Sequence, residues 1–290
     1  MHFTASITEI EALVREDVPY LDLTSSLLDL SPIDAEIHFT PKEPLTVCGS
    51  EEAEKIFSVL GGETELLLKS GQKAEAGETV LKARGSAELL HKGWKVSQNI
   101  LEHFSAIATR TRAMVDNASS GGRRVEVCGT RKHLPGIKRL SLKALVAGGG
   151  YPHRLGLSDS VLIFSNHYEL LGSFEVLCDR LASIKSKCPE KKVAVEVETL
   201  ENARLAARSG ADVIQVDKLD PASVSAIVAE VRSIDSRIVV AAAGGVNASN
   251  AAAYADAGAD VLVSSWMYFG KPADYKVVIR NREGLKKNLP

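Results

Sequence analysis

No run of apolar residues in this chain approaches the roughly 20 that a membrane-spanning helix needs, so no membrane partner is expected. Neither sign of charge prevails. The 35 Lys and Arg against 37 Asp and Glu leave a net charge of −2, which gives no overall electrostatic grip on nucleic acid or an anionic membrane. Cysteine is scarce, and Cys48, Cys128, Cys178 and Cys188 lack the paired spacing of a metal site. Reduced thiols in a cytoplasm are the expectation. The opening MHFTASITEIEALV has no basic segment followed by an apolar core, so it does not read as a signal peptide. What remains is ordinary for a globular protein: 290 residues, 45 % apolar and 25 % charged, enough for one large domain or two modest ones.

Basic character is local. Between Cys128 and His167 lie Thr130-Arg131-Lys132, His133, the triple glycine Gly148 to Gly150, and His153-Arg154. Val125 to Cys128 reads as a strand, which puts Thr130 to Lys132 past its carboxyl end. Arginine forks grip carboxylate or phosphate through paired hydrogen bonds, and lysine adds a point charge. A site for a small, multiply anionic substrate is one reading. An exposed, solvated basic loop is the other.

The first hundred residues mix helix and strand. Ser6 with Glu9 makes a capping box before Ile7, Ile10, Leu13 and Val14 at helical spacing, and Pro19 stops that helix. Asp22 to Ser25 reads as a polar turn, and Ala35–Thr40 and Leu45–Cys48 as strands. Ser50 is a candidate cap for a helix to Leu60, and Glu65–Lys69 with Thr79–Ala83 reads as a small hairpin sheet. A long helical pattern runs from Ser86 to about Ser119, followed by the linker-like Asn117 to Gly122.

Beyond it the texture changes. Val125–Cys128, Val161–Phe164, Val193–Val197, Val213–Val216, Ile238–Ala243 and Val261–Val263 are short apolar runs. Glu169–Lys187, Leu200–Ser209, Pro221–Val231 and Ala248–Ala257 are helical stretches between the later ones. Val/Ile-rich strands without alternation, each followed by a helix, predict a parallel sheet covered on its outside. In parallel barrels the chemistry sits at the carboxyl ends of the strands. Those ends carry Thr130-Arg131-Lys132, Glu196, Asp217, Gly244-Gly245 and Ser264-Ser265. A basic cluster, two carboxylates and a diglycine on one rim is more order than random polar loops would give. His153-Arg154 needs a short extra strand or a crossing loop to join them. Gly244-Gly245, opening a helix expected near Asn247, would cradle phosphate, with hydroxyls from Ser264 and Ser265. Glu196 and Asp217 could hold Mg2+ or ribose hydroxyls. The plainer alternatives are a tight turn for the glycines, an ion pair for Glu196 and a helix cap for Asp217.

These residues, in order, resemble the quinolinate (nicotinate-nucleotide) phosphoribosyltransferase family over nearly the whole chain. Arg15-Glu16-Asp17 with Asp22-Leu23-Thr24 is similar to its opening motif, and Asn99-Ile100-Leu101 with Phe104 to Thr109 to its long central helix. Thr130-Arg131-Lys132 with Pro135-Gly136, then Gly148 to Gly150, His153-Arg154 and Gly156-Leu157, resemble its substrate loops. Glu196-Val197-Glu198, Asp217 and Gly244-Gly245 resemble its barrel-end motifs. The resemblance implies an α/β chain in two parts, an N-terminal α/β sandwich with a long connecting helix (1–118) and an open, incomplete α/β barrel (119–270). It further implies that 271–290 returns to the first domain, with a strand at Tyr275 to Arg280, and that the chain is a homodimer with a shared active site. By the same resemblance, Arg131, Lys132, His153 and Arg154 grip the acid substrate and phosphates. Glu196 and Asp217 hold the ribose and Mg2+ of phosphoribosyl pyrophosphate, with Glu196, Asp217 and Lys132 catalytic. Gly244 and Gly245, with Ala243, Ser264 and Ser265 beside them, take the 5′-phosphate.

The departures are informative. Phe164-Ser165-Asn166-His167 stands where the family usually has Lys-Asp-Asn-His, so an aromatic ring replaces a cation. The arginine that reaches the partner's site in the family falls on Lys95, and Ala243, Ser265 and Ala194 replace a family serine, glycine and glutamate. These changes resemble the ModD branch associated with molybdenum transport. Three readings follow: phosphoribosyl transfer to a small acidic or aromatic ring acceptor, quinolinate itself as that acceptor in NAD synthesis, and a non-catalytic phosphate- or oxyanion-binding accessory protein.

Overall fold

The structure is a computed structural model that describes residues 3–282. It divides into two compact units. The first takes in the described residues up to Arg110, Leu134–Gly149 and those from Phe269 onward, and the second Thr111–His133 and Gly150–Tyr268. Among the described residues no helix is long and apolar enough to cross a membrane.

The chain opens with helix α1 (Ile7–Asp17), whose capping box joins Ser6 and Glu9 as the spacing predicts. The expected polar turn is instead a single helical turn, α2 (Leu23–Leu27), because Asp22 accepts hydrogen bonds from Ser25 and caps it. Strands β1 (Asp34–Pro41) and β2 (Leu45–Thr46) lead to α3 (Ser50–Val59). Ser50 is not the cap of α3. That position is Gly49, at φ 90°, where a Cβ would lie 2.6 Å from Ile100 Cγ2. Strands β3 (Glu63–Leu66), β4 (Lys73–Ala74) and β5 (Leu81–Ser86) run into the 32-residue helix α4 (Ala87–Ala118).

The apolar runs then appear in turn: β6 (Glu126–Gly129), helix α5 (Lys138–Ala147), β7 (Tyr151–Pro152) and β8 (Val161–Ile163). The long helix expected over Glu169–Lys187 is broken in two, α6 (Ser165–Leu171) and α7 (Phe174–Lys187), at Gly172 (φ 108°). Ser173 caps the second. There follow β9 (Val193–Val197), α8 (Leu200–Arg208), β10 (Val213–Asp217), α9 (Pro221–Ile234), β11 (Val239–Ala243), α10 (Ala251–Asp256), β12 (Val261–Ser264) and β13 (Tyr275–Asn281).

In the first unit a four-stranded antiparallel sheet runs β13-β1-β5-β3. Side chains alternate along β1, so Ala35, Ile37 and Phe39 face a core with Phe57, Leu81, Leu90 and Leu101. Each large side chain there contributes about 1.5–3 kcal/mol by leaving water. Helix α5 belongs to this unit and not to the barrel segment that contains it in sequence. Its Lys143 ammonium is 2.8 Å from Glu51 and also bonds Glu52, both on α3.

The second unit is a seven-stranded parallel sheet, β7-β6-β12-β11-β10-β9-β8. Apart from β7 and β8, neighbours in sequence are neighbours in the sheet, and the last long strand, β12, wraps back to pair with the first, β6. That wrap is the topology of a barrel. Within the described residues it stays open between β7 and β8. Outward residues such as Val195, Ile214, Val216, Val240 and Leu262 are buried, as a helix-covered parallel sheet requires. The echo Gly210-Ala-Asp212 and Gly258-Ala-Asp260 is one device used twice: Asp212 accepts from Val193 N at 2.8 Å, and Asp260 from Val240 N at 2.9 Å.

Candidate active site

The register decides which side chains meet inside the open barrel. Residues two apart share a face. Asp217 pairs with Ala243, Ala243 with Val263 and Val263 with Cys128, while Gln215 lies opposite Glu196 and Ala241. The small residues Ala241 and Ala243 leave room, and a cavity of about 1010 Å3 opens at the carboxyl ends of the strands. Arg131, Lys132, His153, Arg154, Phe164, Glu196, Asp217, Ala243, Gly244, Gly245, Ser264 and Ser265 all line it. Lys95 does not. It is exposed on α4, donates to Gln98 Oε1 at 2.9 Å and lies 5.1 Å from the Trp94 ring centre.

The cations come from two adjacent strand ends. Thr130 N donates to Ser264 O at 2.9 Å, which fixes the loop that carries Arg131 and Lys132. The two-residue strand β7 beside β6, with His153 N donating to Gly129 O at 2.9 Å, brings His153-Arg154 to the same rim. Burial, with the neighbouring Arg154 charge, pushes the His153 imidazole below its ordinary value, which favours its neutral form. Burial and the nearby Arg131 charge also lower Arg154. Like charges crowded in this way favour an anion between them.

On the opposite side Asp217 pairs with Lys218 at 2.8 Å, and Gln215 Nε2 donates to Glu196 Oε2 at 2.6 Å. Burial pushes the Glu196 carboxyl up. The Gln215 hydrogen bond offsets part of that, and the Asp217 charge adds to it. A raised carboxyl holds its proton more tightly in the folded chain than in the unfolded one, so ionising it as pH rises costs stability. Glu196→Gln is therefore expected to raise the melting temperature at pH 7 by roughly one to two degrees. The two proteins should converge below the ordinary carboxylate range. A variant that melts lower than the natural protein at pH 7 would contradict this.

The glycine loop differs from its expected form. No helix starts near Asn247, because Asn247 and Asn250 are engaged in turns: Asn247 Oδ1 accepts from Ser249 N, and Asn250 Oδ1 from Asn247 N, each at 2.8 Å. Helix α10 starts only at Ala251. Gly244 and Gly245, at φ 81° and 78°, still present a strip of backbone without Cβ atoms to the cavity, which suits an anion. Ser264 is also corrected. Its hydroxyl donates to Val246 O at 2.5 Å and accepts from Trp266 N at 3.0 Å, so it pins the loop and is not offered to a phosphate. Ser265 is the less buried of the two serines.

Phe164 follows β8 directly as the cap residue of α6, and its N–H donates to His167 Nδ1 at 3.2 Å. The two rings meet edge-to-face with centres 4.3 Å apart. Phe164 and Leu162 give the cavity an apolar wall, and Trp266, Asn166 and Gln215 also line it. The sequence reading did not single out these last three. Gln215 was within reach of it, since Val213, Gln215 and Asp217 must share one strand face.

Glu196 and Asp217 are the acidic side chains of the cavity. Among the described residues no group of three or more His, Cys, Asp or Glu could hold a metal ion. The pair suits Mg2+, which usually takes one or two carboxylates and completes its shell with substrate phosphates and water.

Comparison with known proteins adds to this geometry. The profile described as Quinolinate phosphoribosyl transferase, N-terminal domain, matches residues 22–105, and that described as its C-terminal domain matches residues 107–277. A pyrophosphorylase-named ModD protein of Rhodobacter capsulatus is 43% identical over 250 residues, 86% of this chain and 96% of that one. A Mycobacterium leprae protein named nicotinate-nucleotide pyrophosphorylase (carboxylating) is 30% identical over 266 residues, 90% of this chain and 92% of its own. The crystal structure of NadC from Streptococcus pyogenes superposes with a TM-score of 0.84 at 26% identity, over 94% of this chain and 95% of that one.

Proposed function

The chain belongs to the quinolinate phosphoribosyltransferase family, and from that premise we propose that it transfers ribose 5-phosphate from phosphoribosyl pyrophosphate to a small ring acceptor, releasing pyrophosphate. The observation that carries the reading is the sorting of one cavity. Cations lie at β6 and β7, carboxylates at β9 and β10, and a glycine loop follows β11. In the reaction the bond from ribose C1 to the pyrophosphate oxygen breaks and a bond from C1 to the acceptor forms. The leaving pyrophosphate takes the electron pair, and positive charge develops on the ribose ring. Glu196 and Asp217 favour that charge. Arg131, Lys132 and Arg154 hold the anionic groups, and neutral His153 can donate a hydrogen bond. The Gly244-Gly245 loop takes the 5′-phosphate. Mg2+ bound with the donor would neutralise charge on the pyrophosphate, and Glu196 and Asp217 are the side chains that would hold it. Lys95, outside this cavity, is read as reaching the site of a second copy in a homodimer, and the enzyme as cytoplasmic.

The acceptor is the finer question. Quinolinate brings two carboxylates, and a buried charge left without a partner costs at least several kcal/mol. Phe164 offers a ring where the family usually has a cation. We take the acceptor to be less charged than quinolinate, or to offer more stacking surface, as the Phe164 ring in the cavity wall suits. Quinolinate itself is the second reading, favoured by the description of the family profile that the chain matches. A steady-state assay of pyrophosphate release with quinolinate separates the two. The natural protein is expected to turn it over poorly and Phe164→Lys at least about tenfold better. Efficient turnover by the natural protein, with no gain in the variant, would favour quinolinate.

A further inference from the structure

One side chain in the cavity has half its hydrogen-bonding capacity unmet. Gln215 is 4 % exposed, and its Nε2 donates to Glu196 Oε2 at 2.6 Å. That bond occupies the donor end of the amide and leaves its oxygen on the other side. The other end, Oε1, is buried and has no hydrogen-bond partner. The register explains why. Gln215 stands between Glu196 on β9, which is an acceptor, and Ala241 on β11, which has no polar side chain. Val213 and Asp217, its neighbours on the same face of β10, supply no donor either. An unmet buried acceptor costs about 1–3 kcal/mol. Elsewhere in the barrel interior that position type is filled by Ala241, Val261 and Val263. An anionic oxygen of a ligand would not relieve Gln215, since it would set one acceptor against another.

We propose that Gln215 is a specificity-determining residue that reads a neutral hydrogen-bond donor, a hydroxyl or an N–H, on the ligand seated beside Glu196. The proposal rests on the phosphoribosyl-transfer reading and deepens it. The cavity then sorts its ligand by chemistry: Arg131, Lys132 and Arg154 take the anionic parts, and the Gln215–Glu196 pair takes a part that carries a proton to share. Two sources have that chemistry, a ribose hydroxyl and an N–H of the acceptor ring.

The test compares the natural protein with Gln215→Met, which keeps much of the volume and removes the amide. Thermal melting checks that the variant folds. Phosphoribosyl pyrophosphate, ribose 5-phosphate and 2-deoxyribose 5-phosphate are titrated calorimetrically, and uracil and nicotinate are compared as ring ligands with and without N–H donors. If a ribose hydroxyl is read, the variant should bind ribose 5-phosphate about tenfold more weakly, with 2-deoxyribose 5-phosphate little changed. If a ring N–H is read, the sugars should bind as before and uracil alone should weaken. A folded variant that binds every ligand like the natural protein, or weakens all of them alike, would overturn the role of Gln215 while leaving the transfer reading intact. Failure of the natural protein to bind phosphoribosyl pyrophosphate would overturn both.

Discussion

Replacing Lys143 by methionine is expected to destabilise the first unit by about 3–5 kcal/mol, the usual cost of breaking a buried ion pair from one side. Lys143 bonds Glu51 at 2.8 Å and also bonds Glu52, which is 0 % exposed and accepts from Ala5 N at 3.1 Å. Burial alone would push the Glu51 carboxyl up. Hydrogen bonds from Lys143 and Ser70 outweigh it and hold that group at about 2. The same exchange raises Lys143: burial works against its charge, and Glu52 and Glu51 more than restore it. Methionine fills the space but leaves two carboxylates facing each other without a cation. The Glu51 contribution is present above the ordinary carboxylate range and is lost as pH falls towards about 2. The gap between natural and variant proteins should therefore be widest near pH 7 and shrink on acidification, as the unpaired carboxyls take up protons. Chemical denaturation at several pH values checks this. A loss below about 1 kcal/mol at pH 7 would show that the triad contributes no more than a surface pair.

The second large effect is expected at Gly244. A Cβ there would lie 2.7 Å from Lys218 N and 2.8 Å from Asp217 Oδ1, on a backbone at φ 81°. The left-handed conformation costs an L-residue roughly 1–2 kcal/mol, and the nearest atoms include main chain, which cannot swing aside. Gly244→Ala must therefore move either the glycine loop or the end of β10 that carries Asp217. Since misplacement by about 1 Å can cost a hundredfold in rate, we expect kcat/KM for phosphoribosyl pyrophosphate to fall by about that factor. Gly245→Ala is the control. Its φ is 78°, but its Cβ would meet nothing within 4 Å, so the backbone penalty acts alone and a smaller loss is expected. Equal losses for the two variants would show that the close approach to β10 is unimportant.

Much of this site was legible in the sequence because a parallel barrel converts sequence position into place. A polar residue at the carboxyl end of an apolar run reaches the rim whatever the loops do, and so Arg131, Glu196, Asp217 and Gly244 line one cavity. The α1 cap was legible for a local reason, the Ser6–Glu9 reciprocity. What escaped depended on partners distant in the chain. Strand β7, which the sequence left open as a short extra strand or a crossing loop, has two residues and exists only through its pairing with β6. Helix α5 is short, and its Lys143 is fixed by α3, roughly ninety residues earlier. The late start of α10 follows from side chains of Asn247 and Asn250 that could equally have capped a helix. Ser264 reads as a phosphate ligand until the carbonyl of Val246 is seen to claim its hydroxyl.

The function proposed for this cavity requires it to take the donor substrate through its carboxylates and Mg2+. Calorimetric titration of phosphoribosyl pyrophosphate into the natural protein and Asp217→Asn, each with Mg2+ and with EDTA, tests it most directly. The natural protein should bind with Mg2+ and at least about tenfold more weakly in EDTA, and Asp217→Asn should bind weakly in both and show little metal dependence. No binding by the natural protein under either condition, or the same metal-dependent binding in the variant, would contradict it.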